Sequence, residues 1–289
     1  MKFKMNMRMR HIFEGYSFIG IWIIGFVAFM AVPLGQSIYY SFQKLTPSKA
    51  GLVAENVGLQ HFRAAFAVDV EFLPLLQSTF TGMISHVPLV LIFSMASALL
   101  LNRHFRGRMI FRGIFFLPVI IASGTTLKKL LEQGAANLPI FMNYDLYRML
   151  RLFIPGNILE SLLMYADSLT MVMWDAGVQT LIFLAGLQTI SPSLFEAAKM
   201  DGATKWESFW KITFPMIMPM ILVNTLYTMV SSFTRADNSV MDYINTRVFS
   251  DNNYGYASAL GWIYFVVIFI MIGIVFLLFR KSLASMEGR

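Results

Sequence analysis

The sequence contains no cysteine. Disulfides, thiolate metal sites and cysteine nucleophiles are therefore excluded, and the redox compartment is left open. Charge is also scarce. Only 13% of residues are Asp, Glu, Lys or Arg, where a soluble domain carries about a quarter. No Gly-x-x-x-x-Gly-Lys-Ser/Thr segment occurs, so the chain has no phosphate-cradling loop with which to hydrolyse ATP alone. His11, His61, His86 and His104 are scattered, without His-Glu-x-x-His spacing, and no Gly-x-Ser-x-Gly elbow is present. Neither a catalytic residue nor a metal site is expected.

What the chain has in quantity is apolar surface. It is 57% hydrophobic with a mean hydropathy of +0.62, and apolar runs of membrane-crossing length, about 20 residues, recur along it. They predict an all-α integral membrane protein with six spans near 16–41, 75–101, 110–131, 168–190, 215–234 and 259–280. Residues 1–15 and 281–289 read as tails, 42–74 as a loop outside the first span, and 75–280 as the core domain. The run from Tyr16 to Ile38 exceeds a signal-peptide core and lacks a small-x-small exit, so it reads as a retained span. The segment 132–167 mixes apolar turns with Pro139, Pro155 and Gly156, which fits an outer loop with amphipathic helices or a re-entrant segment. The 21 Met and 27 Phe residues are expected at lipid-facing and packing positions.

The net charge of +7 and the pI near 9.6 raise nucleic acid or anionic lipid as partners. The placement of the charge is more informative. The two tails, with Arg280 at the edge of the second, and the 102–113 and 191–214 loops hold 14 of the 23 Lys and Arg, and the excess of bases in these segments predicts that both termini are cytoplasmic. An even number of spans independently requires the termini to share a side.

The 191–215 loop carries the strongest local pattern. Ser193 with Glu196, and Thr204 with Glu207, have capping-box spacing, and Gly202 lies between them as a left-handed stop. Two short helices are predicted, one with Leu194, Phe195 and Ala198 on its apolar face and one with Trp206, Phe209 and Trp210. A DNA-binding helix-turn-helix is excluded because spans within a residue or two on each side would keep a recognition helix from a groove. A protein partner suits the loop better, and no nucleic-acid partner is expected.

Glu196-Ala197-Ala198, Gly202 and Ile212-Thr213-Phe214-Pro215 resemble the EAA loop of ABC importer permeases, departing from it in Phe214 where a Leu recurs. Gly58-Leu-Gln-His-Phe62 with Asp69 and Phe72, Phe116-Leu-Pro118 and Phe183-Leu-Ala-Gly-Leu187 are similar, in the same order, to segments of the carbohydrate branch of that family. The resemblance implies a type I importer permease with a cytoplasmic coupling helix between spans four and five. Glu196, Ala197, Ala198, Asp201, Gly202 and Pro215 would be its ATPase-coupling residues. It implies as partners a second permease in a heterodimer, two ATPase subunits that bind ATP and Mg2+, an extracytoplasmic solute-binding protein and membrane lipid. The chain itself would hold no cofactor. The cargo implied is an oligosaccharide, with glycerophosphate or an amino acid as alternatives.

Polar groups in or beside spans are costly and mark a candidate substrate path: Trp174, Asp175, Gln179, Asn224, Tyr227, Ser231, Ser232 and Asp237. The same groups also suit helix-to-helix hydrogen bonding and interfacial anchoring. An ion-coupled secondary transporter is the rival class, and it would favour an internal repeat, of which no clear example is visible at half-length. A membrane enzyme or signalling scaffold would need a catalytic cluster or a sensor domain.

Overall fold

A computed structural model describes residues 7–48, 51–103, 105–113, 152, 155–235 and 238–287. The third expected span lies almost wholly outside these residues, as do Asp237 and most of 132–154. Four described helical stretches are long and apolar enough to cross a membrane: Gly15–Ser41, Phe72–Asn102, Met171–Gln188 and Tyr254–Arg280. A bent pair, Lys205–Met216 with Met218–Phe249, makes a fifth if taken as one span.

The chain divides into two compact units. The first comprises residues 1–73 and 243–266. It begins with α1 (Met7–Phe26), which passes through a π-helical turn at Val27–Ala31 into α2 (Val32–Ser41). Residues 15–41 are almost entirely exposed and apolar, as a lipid-facing helix would be. An antiparallel hairpin follows, β1 (Gln43–Ser48) with β2 (Gly51–Asn56), in the register Gln43↔Asn56 to Ser48↔Gly51. This hairpin corrects the all-α expectation. It is closed at its base by the Val57 N–H donating to the Phe42 carbonyl at 3.0 Å. A short α3 (Gln60–Ala67) places Phe62 against Phe42, with ring centroids 5.4 Å apart.

The end of this unit nearest the hairpin is held by a close approach at Gly255. His61 Nε2 lies 3.1 Å from the Gln43 carbonyl oxygen. A Cβ on Gly255 would overlap that same carbonyl and sit 2.9 Å from His61 Nε2. Backbone cannot move aside as a flexible side chain can. Gly255→Ala is therefore expected to destabilise by about 1–3 kcal/mol, the usual cost of overpacking a tight site. At Gly186 the nearest neighbour of an added Cβ is the flexible Met220 side chain, at 2.5 Å, so Gly186→Ala should cost less. Thermal unfolding of the two variants in one detergent checks the order.

The second unit comprises residues 74–242 and 267–289. It contains most of α4 (Phe72–Asn102), then α5 (Gly156–Gln188), α6 (Pro192–Met200), α7 (Lys205–Ser208), a π-helical turn at Phe209–Thr213, α8 (Phe214–Met216) and α9 (Met218–Thr234). It also takes in the start of α10 (Ser239–Phe249) and the last part of α11 (Tyr254–Glu287). The expected fourth span at 168–190 falls in α5, but that helix begins twelve residues earlier, at Gly156, so 156–167 is helix and not loop. Pro155 precedes it, in an extended conformation that suits a helix start.

The fifth expected span also differs. Pro215 does not open a continuous helix. The chain turns at Ile217, with the two sides bent by 64°. Pro219, in the first turn of α9, has no N–H for the carbonyl four residues back, so the helical ladder cannot run through this point. The bend is anchored in a core of Ala98 and Leu101 from α4, Phe183, Leu184 and Leu187 from α5, and Ile190 and Ile217. A smaller cluster joins Val90 with Val172 and Ala176. These two apolar contacts set α4, α5 and the α8–α9 bend as one frame, from which both the loop and the cavity described next are hung.

Candidate functional site

The loop from Ser191 to Pro215 is built from two hydrogen-bonded stops. Ser191 is the N-cap of α6, and Pro192 occupies the first turn, where its missing N–H costs nothing and its φ suits a helix. The expected Ser193–Glu196 capping box does not form. Helix α6 begins at Pro192, which puts Ser193 inside the first turn, where its Oγ lies 2.8 Å from Ser191 Oγ. Glu196 is then too far along to reach back to the cap.

The far end of α6 closes as a Schellman motif. The Ala203 N–H donates to the Ala198 carbonyl at 2.9 Å and the Gly202 N–H to the Lys199 carbonyl at 3.1 Å. Gly202 has φ +80, a conformation natural to glycine and strained for other L-residues. Directly after it, the Thr204–Glu207 capping box forms in full: Thr204 Oγ1 accepts from the Glu207 N–H at 3.2 Å, and Glu207 Oε2 accepts from the Thr204 N–H at 2.9 Å.

The result is a rigid, outward-facing unit. Glu196, Ala197, Asp201 and Gly202 are exposed, Ala198 and Pro215 half-buried. Beside them Trp206, Phe209, Trp210 and Phe214 form a ladder of ring contacts, with Phe209–Trp210 edge-to-face and Trp210–Phe214 tilted, both with centroids 5.1 Å apart. Trp206 remains 69% exposed and Met200 88%. Apolar surface of this size on a short, well-ordered loop is what a docking partner covers.

The second feature is a charged cluster among α4, α5 and the end of α9. A single carboxylate oxygen, Asp175 Oδ2, lies 2.8 Å from His86 Nε2 and accepts from Arg235 Nη1 at 2.5 Å. All three side chains are largely buried, at 23% exposure for His86, 17% for Asp175 and 16% for Arg235. His86 sits near the middle of α4, about 21 Å from its start and about 24 Å from its end by helix rise. Ionisable groups placed so deep in a membrane-length helix are costly unless they pair, and they usually face a cavity or pathway. One is present. A cavity of about 490 Å³ is lined by His86, Arg235 and Ser232, with Ser78, Thr79 and Ser85 among its other walls.

The candidate path residues separate on this geometry. Asp175 joins the cluster and Ser232 lines the cavity. Gln179 and Asn224 instead pack inside the α5–α9 contact, at 1% and 0% exposure. Gln179 Nε2 donates to Thr228 Oγ1 at 2.9 Å, and Asn224 Nδ2 to the Gln179 carbonyl at 3.2 Å. These two hold helices together and do not line the cavity. Trp174 Nε1 is buried without a hydrogen-bond partner among the described residues, Ser231 is half-buried and Tyr227 exposed. Sequence reasoning missed His86 and Arg235. A lone histidine in mid-span and an arginine one residue past a span were the available signals.

A third polar centre lies in the other unit. Asp69 Oδ1 accepts from the Glu71 and Phe72 N–H groups at 2.9 and 3.0 Å, and Oδ2 accepts from Tyr243 and Tyr256 hydroxyls at 2.7 and 2.5 Å. Burial raises the carboxyl's proton affinity, but the hydroxyls of Tyr256 and Tyr243 and the two backbone donors outweigh it and hold Asp69 below the usual carboxylate range. A depressed carboxylate contributes stability that is complete above its unfolded pKa of about 4 and is lost as pH falls through the lower folded value. This contribution should therefore be intact at pH 5–7 and fade only below about pH 4. In Asp69→Asn the fade should vanish and stability at pH 7 should drop by about 1.5–3 kcal/mol, which unfolding of both proteins across pH checks.

The pattern shared by the family described as "Binding-protein-dependent transport system inner membrane component" matches residues 78–284. The chain is 31% identical to the probable ABC transporter permease protein YesP of Bacillus subtilis, over 93% of this chain and 90% of that protein. It is 25% identical to the multiple sugar-binding transport system permease protein MsmF of Streptococcus mutans, over 94% and 96%. Its fold is similar to a chain in the crystal structure of a bacterial alginate ABC transporter in complex with an alginate pentasaccharide-bound periplasmic protein. That likeness has a TM-score of 0.63 at 18% identity and covers 95% of this chain and 96% of that one. Family pattern, similarity to YesP and several membrane-length apolar helices agree: the chain belongs to the binding-protein-dependent transport system inner membrane component family, and is a multi-pass membrane permease of the ABC importer class.

Proposed function

We propose that this permease forms, with a second and similar permease, the alternating-access path for an oligosaccharide delivered by an extracytoplasmic binding protein. Of two ATPase subunits, which bind ATP and Mg2+, one docks on the α6–α8 loop of this chain. Both termini then lie in the cytoplasm, where the bases of the tails and shorter loops are retained. Glu196, Ala197, Ala198, Asp201 and Gly202 form the docking face, and Pro215 starts the turn that carries movement into α9.

The observation that carries the reading is the cavity of about 490 Å³. It falls within the range of about 300–1,000 Å³ common to small-ligand sites, and hydroxyl-bearing side chains make much of its wall. Similarity to MsmF, a permease of a multiple sugar-binding transport system, supports the same class. The complete transporter, reconstituted in lipid with its binding protein, should show ATP hydrolysis stimulated severalfold by oligosaccharide. Stimulation by amino acids or glycerophosphate, with none by any sugar, would reverse the assignment.

A further inference from the structure

The docking loop enters and leaves the helical frame through one apolar socket. Ile190, just before the Ser191 cap, and Ile217, just after the α8 turn, are 6% and 0% exposed. Both belong to the core cluster that holds Leu101 of α4 and Phe183 and Leu187 of α5. Leu101 and Leu187 each stand one residue before the end of their helix, so the last turns of α4 and α5 meet there. From Ser191 to Ile212 the loop has no buried residue. At Ile217 the attachment is made by backbone as well as by side chain. Pro215 and Pro219, on either side, have no N–H to give. The Ile217 N–H nevertheless donates to the Thr213 carbonyl at 3.1 Å, and its carbonyl accepts from the Ile221 N–H at 3.0 Å. One residue thus bonds the last turn of the loop to the first turn of α9 across the 64° bend, with its side chain enclosed by the cluster. A free swivel needs slack, and close-packed apolar contacts have little: they transmit strain.

We propose that Ile217 is the positioning residue of energy coupling: it seats the docking loop in this socket so that a tilt imposed on the loop by the ATPase passes into α9, α4 and α5 together. The proposal rests on the docking and alternating-access reading above and adds the residue through which the movement travels. Truncating the side chain leaves a cavity that the surrounding atoms close only in part, and the loop can then shift within the gap before the helices follow. The loop itself still folds, because the stop at Gly202 and the cap at Thr204 are made within it. The ATPase therefore still finds its docking face. What is lost is the transmission of its movement.

The chain has no cysteine, so an introduced thiol is unique within it. Ser232→Cys puts one on the wall of the cavity. Its labelling by a membrane-impermeant maleimide is read on this chain by mass, in the complete transporter in lipid nanodiscs, without nucleotide and with AMP-PNP and Mg2+. The quantity compared is the ratio of the two rates, which a change in the amount of folded protein does not move. With Ile217 intact the rates should differ by about fivefold or more, the lower end of common site-to-site coupling. Ile217→Ala should bring them within about twofold of each other, below that coupling range, while the ATPase still co-purifies. Ile217→Leu, which keeps the volume, should behave as the parent does. So should Leu260→Ala, a matched truncation at a position that is 0% exposed in the other unit. Ile217→Val should fall between parent and alanine variant, and provides the comparison if the alanine variant does not assemble. A ratio that keeps the parent value in the alanine and valine variants, with the ATPase bound, overturns the proposal and leaves docking and alternating access standing. An equal loss in Leu260→Ala overturns it as well, since any core truncation would then do the same. Equal rates in the parent remove the alternating-access reading and this proposal with it.

Discussion

Asp175→Ala should lower the stability of the permease by about 3–5 kcal/mol and leave little or no transport, the cost expected when one partner of a buried charge pair is removed. Asp175 Oδ2 is the one oxygen that meets both His86 Nε2 and Arg235 Nη1. Arg235 is only 16% exposed, and taking a carboxylate away from a buried guanidinium costs more than the pair itself was worth. The double variant Asp175→Ala with Arg235→Met removes both charges and should recover most of the stability, because an apolar replacement of a buried pair is often neutral or better. Transport should stay low in the double variant, since the cavity wall would have lost Arg235 and the Asp175 that meets His86. Unfolding in detergent and uptake into vesicles, measured on the same preparations, separate the two effects. Full stability in the single variant would show that the cluster is solvated.

Gly202→Asp should reduce ATP-driven uptake at least tenfold while costing only about 1–2 kcal/mol of stability, the range for a non-glycine residue forced into the left-handed region. At φ +80 Gly202 lets the Ala203 and Gly202 N–H groups satisfy the last carbonyls of α6, and lets Thr204 start the next capped turn two residues later. A side chain there shifts that junction, and with it the angle between α6 and the Trp206–Trp210 aromatic ladder. No Cβ clash adds to the strain, because nothing lies within 4 Å of the position an added Cβ would take. A small loss of stability with a large loss of transport is the signature of a docking face. A variant that loses both in proportion would mean that the loop serves only the fold.

How much of this was visible in the residues differs from element to element. The second span, expected at 75–101, is α4 at Phe72–Asn102, because a long apolar run that meets lipid has few conformations open to it. The Thr204–Glu207 box and the glycine stop at Gly202 were legible because each depends only on neighbours in sequence. Where local signals competed, the reading failed. Pro192 moved the start of α6 and with it displaced the Ser193–Glu196 box. The hairpin at Gln43–Asn56 has no strong alternation and contains Pro47, so nothing local announced it. The bend at Ile217 needed both Pro215 and Pro219 to be weighed together.

The candidate site shows the same division. The loop is contiguous, so its pattern could be read. The His86–Asp175–Arg235 cluster joins residues 89 and 60 positions apart, and only the packing of α5 against its neighbours brings them together. Polarity alone placed Gln179 and Asn224 with Asp175 as candidates. Packing assigns the first two to the α5–α9 contact, where Thr228 and backbone receive their hydrogen bonds.

The central claim is that this chain is energised by separate ATPase subunits through the α6–α8 loop, and co-purification from membranes in mild detergent tests it most directly. Wild type and Gly202→Asp are each co-expressed with the candidate ATPase and the second permease. The account predicts that the ATPase follows the wild type and is lost or uncoupled with the variant, while the pair of permeases survives in both. A wild-type chain that purifies alone and transports with no ATPase present would contradict it, and an ion-driven transporter would take its place.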